Sequence, residues 1–228
     1  MRQPEAVLGA AMICVLVAGC GSSIGNAESI TPTRTVIPRP LVERELPELL
    51  LSATEIDSEM GTTGMAPTGS ATTLADTSAS MAPRECLAVD AAAEALVYAD
   101  SGYRASLDES FNNGDDFTHY LKQAVVLFPL VEQAQAFFDA SAQQWPACRH
   151  YTHLQSGTEW TPGPISNADG MLSVVAMQQD ARAGGWGCGR ALAVRNNVIV
   201  DVNTCAAAPG DTAVRIARRI ADNVSAQW

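Results

Sequence analysis

No apolar stretch of this chain is long enough to cross a bilayer. Its longest, AVLGAAMICVLVA from Ala6 to Ala18, has thirteen residues, against the roughly 20 that a spanning helix needs. Basic side chains are also scarce: 14 Lys and Arg stand against 25 Asp and Glu, a net charge of −11. That balance argues against nucleic acid or an anionic lipid surface as a partner. The sequence contains no His-Glu-x-x-His zinc pair and no glycine-rich phosphate loop closed by a lysine. No two cysteines are spaced as Cys-x-x-Cys, so the usual zinc ribbons and fingers are excluded.

A short apolar run that ends in small residues suits an export signal, whose hydrophobic region spans about 7–15 residues. Val17-Ala18-Gly19-Cys20 resembles the lipobox of bacterial lipoproteins, in which the cysteine thiol receives a diacylglycerol and the signal is cut just before it. The expectation is therefore a signal peptide at 1–19 and a lipidated Cys20 that becomes the first mature residue. Thioether-linked and amide-linked acyl chains together exceed the two anchoring signals that stable membrane attachment requires. Residues 20–45, rich in Ser, Thr and Pro, read as a flexible tether, and 46–228 as one folded domain on the outer side of the membrane. Thr62 to Pro83 has a similar composition and reads as a long surface loop.

Once Cys14 leaves with the signal and Cys20 carries lipid, Cys86, Cys148, Cys188 and Cys205 remain. In an oxidising compartment four cysteines imply two disulfides, with three possible connectivities. The segments GCGRALAVR and VIVDVNTC flank Asn196-Asn197, and asparagine tolerates the positive φ of a two-residue hairpin turn. With those two residues as the loop, Arg195 faces Val198 and Cys188 faces Cys205 as a non-hydrogen-bonded pair. Their Cα atoms would then stand about 4.5 Å apart, at the short end of what a disulfide accepts. Cys86 is left for Cys148. The same register gathers Ala191, Ala193, Val198, Val200 and Val202 on one face as a seat for a helix. Arg190, Leu192, Asp201 and Asn203 share the other with the disulfide, where Arg190 and Asp201 could form a cross-strand ion pair on a half-exposed surface.

Elsewhere the pattern predicts helices at Pro47 to Met60, Asp90 to Ala99 and Pro129 to Trp145, and strands at Tyr120 to Phe128 and Met171 to Gln178. The terminal DTAVRIARRIADNVSAQW places Ala213, Ile216, Ala217, Ile220, Val224 and Trp228 on one stripe, a helix packed on the core. His150 and His153 follow Cys148 in a strand or loop and read as surface residues. Asp115 and Asp116 in NNGDD lie in a turn that lacks a full calcium loop. Gly184-Gly185-Trp186-Gly187 reads as a bend leading into the hairpin.

The stretches LLLSATEIDSEMG, FPLVEQAQAFFDASAQQWPAC, DGMLSVV, GWGCGRALAVRNNVIVDVNTC and IARRIADNV resemble the extracytoplasmic sensor domain of the mycobacterial PknH-type receptor Ser/Thr kinases and of the stand-alone lipoproteins that share it. The likeness runs from about Leu46 to Trp228. It implies an α+β fold, with a mixed, largely antiparallel sheet packed with helices, two disulfides, and a cleft for a small molecule. The implied bridges, Cys86–Cys148 and Cys188–Cys205, agree with those read from the hairpin. Only about 25 residues separate Cys20 from the domain, so the expectation is a chain that binds or detects without phosphorylating. No catalysis, cofactor or metal is expected.

Ligand pockets are mostly apolar with a few placed polar groups. Trp160, in GTEWTPG, and Trp186 are therefore the candidates to line the cleft, with Tyr151, Arg190 and Asp201 as polar neighbours. The expected function is a membrane-anchored extracytoplasmic sensor for a small-molecule or cell-envelope ligand, with a signalling or envelope protein as possible partner. A scaffolding lipoprotein acting through protein contacts is the alternative, and an unrecognised hydrolase the third.

Overall fold

The computed structural model describes residues 38–227. The signal peptide, Cys20 and most of the tether, as well as Trp228, lie outside the described residues. The chain is already packed at Leu41, which is buried and whose N–H donates to the Asn197 side-chain oxygen at 2.7 Å. The fold thus begins inside the segment assigned to the tether, because Leu41 has a hydrophobic seat and a backbone partner there.

A 3-10 helix at Glu43–Glu48 precedes helix α1, Ala53–Met60. The single helix expected over Pro47 to Met60 is broken because Ser52 caps α1. Its N–H and hydroxyl both donate to the Glu55 carboxylate, a reciprocal capping box. Gly61, in the left-handed region at φ 66°, ends the helix as expected.

Among the described residues ten strands form one sheet. They are β1 (Ala66–Ala71), β2 (Met81–Ala82), β3 (Ala105–Asn112), β4 (His119–Leu127), β5 (Tyr151–His153), β6 (Thr158–Pro162), β7 (Ser166–Ala168), β8 (Met171–Gln178), β9 (Gly187–Arg195) and β10 (Val198–Ala206). The order is β1-β3-β4-β10-β9-β8-β6-β5-β2, with β7 added on β8, and every strand pair is antiparallel. A lone parallel bridge joins Ala75 to Glu94. The Thr62 to Pro83 segment is not one surface loop: it supplies both edge strands, β1 beside β3 and β2 beside β5.

Around the hairpin the predicted register holds residue for residue. Arg195 pairs with Val198 and Cys188 with Cys205, whose Cα atoms are 4.1 Å apart, and Asn196 takes φ 52° in the turn. The Cys86–Cys148 bridge is also present.

Each face of the sheet carries its own core. On one, Val198, Val200, Val202, Ala191 and Ala193 meet Ala213, Ile216, Ala217, Ile220 and Val224 of helix α5, Thr212–Ser225. On the other, Ile199, Leu192, Val194 and Val126 meet α2 (Leu87–Asp90), α3 (Ala95–Tyr98) and α4 (Val131–Gln144). Phe138 and Trp145 point into this second core, whereas Val131 is exposed.

The helix expected at Asp90 to Ala99 is instead two short turns, α2 and α3, separated at Ala91–Glu94. Ala93 sits in the left-handed region at φ 57°. Its N–H donates to Asp201 at 2.9 Å and its carbonyl accepts from Ala75 N–H at 3.1 Å. These tertiary bonds outweigh the helical preference of an alanine run, which is only a few tenths of a kcal/mol per residue.

Candidate functional site

Alternation along β10 puts Asp201, Asn203 and Cys205 on one face, in line with Arg190 and Cys188 on β9 and with Lys122 and Tyr120 on β4. The helical cover ends partway along that row. Asp201 and Arg190 lie under it, 0% and 2% exposed. Beyond the cover the sheet opens into a cleft of about 670 Å³, within the range of small-molecule sites. Its floor includes Asn203, Lys122, Tyr120 and the Cys188–Cys205 disulfide. One wall is the broken α2–α3 segment with Asp90 and Glu94, and the other carries His153, Trp160, Trp186 and Phe117.

Trp160 and Trp186 are both brought to the cleft, as their residue type and loop position suggested. Trp186 is half-buried and stacks on Phe117, with ring centroids 6.2 Å apart. Trp160 is more enclosed, its indole N–H donating to the Thr158 hydroxyl at 3.2 Å and its ring 5.3 Å from that of His153.

The three polar neighbours are elsewhere. Tyr151 is fully buried, its ring stacked parallel to Trp160 at 6.1 Å. Burial pushes its phenol well above the ordinary range, and the nearby Asp90 carboxylate adds to the shift. Arg190 and Asp201 form an ion pair, but on a covered surface rather than a half-exposed one. Asp201 accepts from Tyr98 and from Ala93 N–H, each at 2.9 Å, while Arg190 donates to the Val202 carbonyl and lies 5.6 Å from the Trp145 ring. The pair fixes the α2–α3 segment against the sheet and so sets one wall of the cleft without lining it.

Sequence reasoning missed the ionisable groups that do line it. His153, read as a surface residue, is half-buried and lies 3.0 Å from Asp90; that hydrogen bond holds its pKa above the ordinary value. Glu94 is 2% exposed, and burial raises its carboxyl pKa although Thr77 N–H donates to it at 2.9 Å. Lys122 sits 3.6 Å from Asp108, whose own pKa burial raises. Lys122 is the only lysine in the sequence, a signal that was legible beforehand. Asp90 and Glu94 were hidden by the helix assignment. Asp115 and Asp116 stay exposed in a 3-10 turn, and no group of three or more His, Cys, Asp or Glu is placed to hold a metal among the described residues.

A disulfide-stapled α+β domain, with helices packed on both faces of its sheet and an aromatic-lined cleft beside the helical cover of one face, is the class that fold and site define. Residues 41–223 match the family described as the PknH-like extracellular domain. The serine/threonine-protein kinase PknH of Mycobacterium tuberculosis is 33% identical over 221 residues, covering 95% of this chain and 34% of the kinase. PknH of Mycobacterium bovis is also 33% identical, with 36% of the kinase covered. The chain thus spans about a third of the length of these curated relatives. The crystal structure of the extracellular domain of PknH from Mycobacterium tuberculosis superposes with a TM-score of 0.77 at 31% identity, covering 83% of this chain and 99% of that domain. The chain belongs to the PknH-like extracellular domain family, and its folded part is an extracytoplasmic domain.

Proposed function

We propose that this protein is a lipid-anchored extracytoplasmic sensor, tethered through Cys20, whose cleft binds a small molecule and performs no chemistry on it. The cleft itself carries the reading: about 670 Å³ of concave space in which aromatic rings and convergent polar groups meet beside the helical cover of one sheet face. The ligand-contacting residues are Trp160 and Trp186, joined by His153, Glu94, Lys122 and Phe117. Tyr151, Arg190 and Asp201 act from beneath as supports. Ligand occupancy would bridge the Ala91–Glu94 wall and the Trp186 loop, the change a signalling or envelope partner can read.

Native mass spectrometry of the full chain, gently purified from the envelope of its source organism, tests this. A reproducible bound mass is expected, lost on denaturation and weakened at least tenfold by Trp186→Ala. A clean unliganded mass under conditions that keep weak complexes together would instead favour a scaffolding protein that acts through its surface.

A further inference from the structure

Taking the cleft as a binding site, its lining selects among ligand classes. Two of its charges are already matched: the Lys122 ammonium lies 3.6 Å from Asp108, and Asp90 accepts from or pairs with His153 at 3.0 Å. Glu94 adds a third carboxyl group, and no arginine among the described residues lines the space. An anionic ligand would meet Asp90 and Glu94 with only an already paired lysine to attract it. A wholly apolar ligand would strip water from Glu94, Asp90 and Lys122 and return no hydrogen bonds, at a cost for every group left unpaired.

A neutral molecule, apolar on one face and dense in hydroxyls around its edge, matches this lining. The Trp186–Phe117 stack is a platform for such a face, since Phe117 is exposed and Trp186 is only half-buried. Hydrogen-bonding capacity remains around it. Glu94 accepts from Thr77 N–H through one carboxylate oxygen, and the Gln178 side-chain amide makes no hydrogen bond among the described residues, although its backbone N–H donates to the Trp186 carbonyl. Lys122 has three donors and a single carboxylate neighbour. We infer that the cleft takes a neutral saccharide, one sugar ring laying its C–H face on Trp186 and Phe117 with its hydroxyls toward Glu94, Lys122 and Gln178. A free oligosaccharide and the head group of a neutral glycolipid share this chemistry.

The test titrates the full chain, held in a detergent without a sugar head group, with neutral pentoses, hexoses and N-acetylhexosamines from mono- to hexasaccharides. Tryptophan fluorescence and saturation-transfer NMR report binding. At least one saccharide is expected to bind, and to bind at least tenfold more weakly to Trp186→Ala and to Lys122→Met, with the unfolding midpoint of Trp186→Ala near that of the parent. Phosphatidylcholine vesicles with and without a glycolipid bearing the same sugar separate the sources: stronger binding to the glycolipid vesicles assigns the head group, equal binding the free saccharide. Binding that ignores both variants would place the sugar elsewhere and overturn the inference. If no saccharide binds but native mass spectra retain a sugar-free mass that Trp186→Ala releases, the saccharide class fails while the binding site stands. If no mass is retained either, both fail.

Discussion

Arg190 and Asp201 have almost no contact with solvent, yet both carry charge. Removing water from two ions is costly, and their mutual attraction with added hydrogen bonds offsets that cost only when the pair is complete. Arg190→Met therefore leaves Asp201 buried and unpaired and is expected to destabilise the fold by about 3–5 kcal/mol in urea denaturation. Replacing both, Arg190→Met with Asp201→Leu, is expected to cost clearly less than the sum of the single changes. An additive result would show that the pair is not coupled. The same residues show why the sequence misled: alternation correctly put them beside the disulfide, but it could not say that the α2–α3 segment would cover that part of the row.

His153 gives the cleft a pH dependence with a definite sign. Its native pKa lies above 6.5 because Asp90 favours the charged imidazolium. The stability it contributes is present in full below 6.5 and is lost as pH rises through the native value. Glu94, whose carboxyl pKa burial raises above 4.5, acts in the same direction. Above 4.5 the unfolded chain gives up this proton while the native protein still holds it, so stability falls as pH rises through the native value. The groups facing this pair are Asp90, Lys122 and Tyr120. An NMR titration is expected to place the His153 midpoint above 6.5 and to lower it in Asp90→Asn. A midpoint unmoved by that substitution would contradict the assignment.

At the scale of elements, the β9–β10 hairpin was the most legible part of the chain. A two-residue Asn-Asn turn fixes the register, and a register error of one residue would have turned every valine of the helix seat to the wrong face. The α5 stripe was legible for the same reason, since a strong 3.6-residue period allows one packing face. The edge strands β1 and β2 were not. Apart from Met81 their residues are Ser, Thr, Gly, Ala and Pro, and they are strands because β3 and β5 offer them unpaired backbone, an effect that no local pattern carries.

The two disulfides should differ in what they protect. In the chain-entropy account, loops of 17 and 62 residues are worth about 3 and 4 kcal/mol. Cys188→Ser with Cys205→Ser opens the floor of the cleft, whereas Cys86→Ser with Cys148→Ser frees the α2 end of its wall. Both double variants are expected to shift the denaturation midpoint down, the second by more. A larger loss from the hairpin bridge would mean that the bridge stabilises mainly through the folded cleft rather than through the unfolded chain.

For the molecule as a whole, α5 and α1 pack on one face of the sheet and α2, α3 and α4 on the other, and the cleft opens where the cover of the second face ends. The resemblance implied the fold class, periodicity and turn chemistry marked α5 and the hairpin, and residue type and loop position pointed to the two tryptophans that line the cleft. The charged lining could not be read in advance, because Asp90 and Glu94 meet Lys122 and His153 only when three separate segments converge. One of those residues provides the most direct test of the central claim. Lys122 is the sole lysine of the chain and lines the cleft, so its acetylation by an amine-reactive ester, followed peptide by peptide, measures occupancy without interference from other side chains. In the intact envelope, Lys122 is expected to react at least tenfold more slowly than in purified chain stripped of ligand. Equal rates in the two settings would show a cleft that stands empty where the protein works, and would contradict its role as a sensor site.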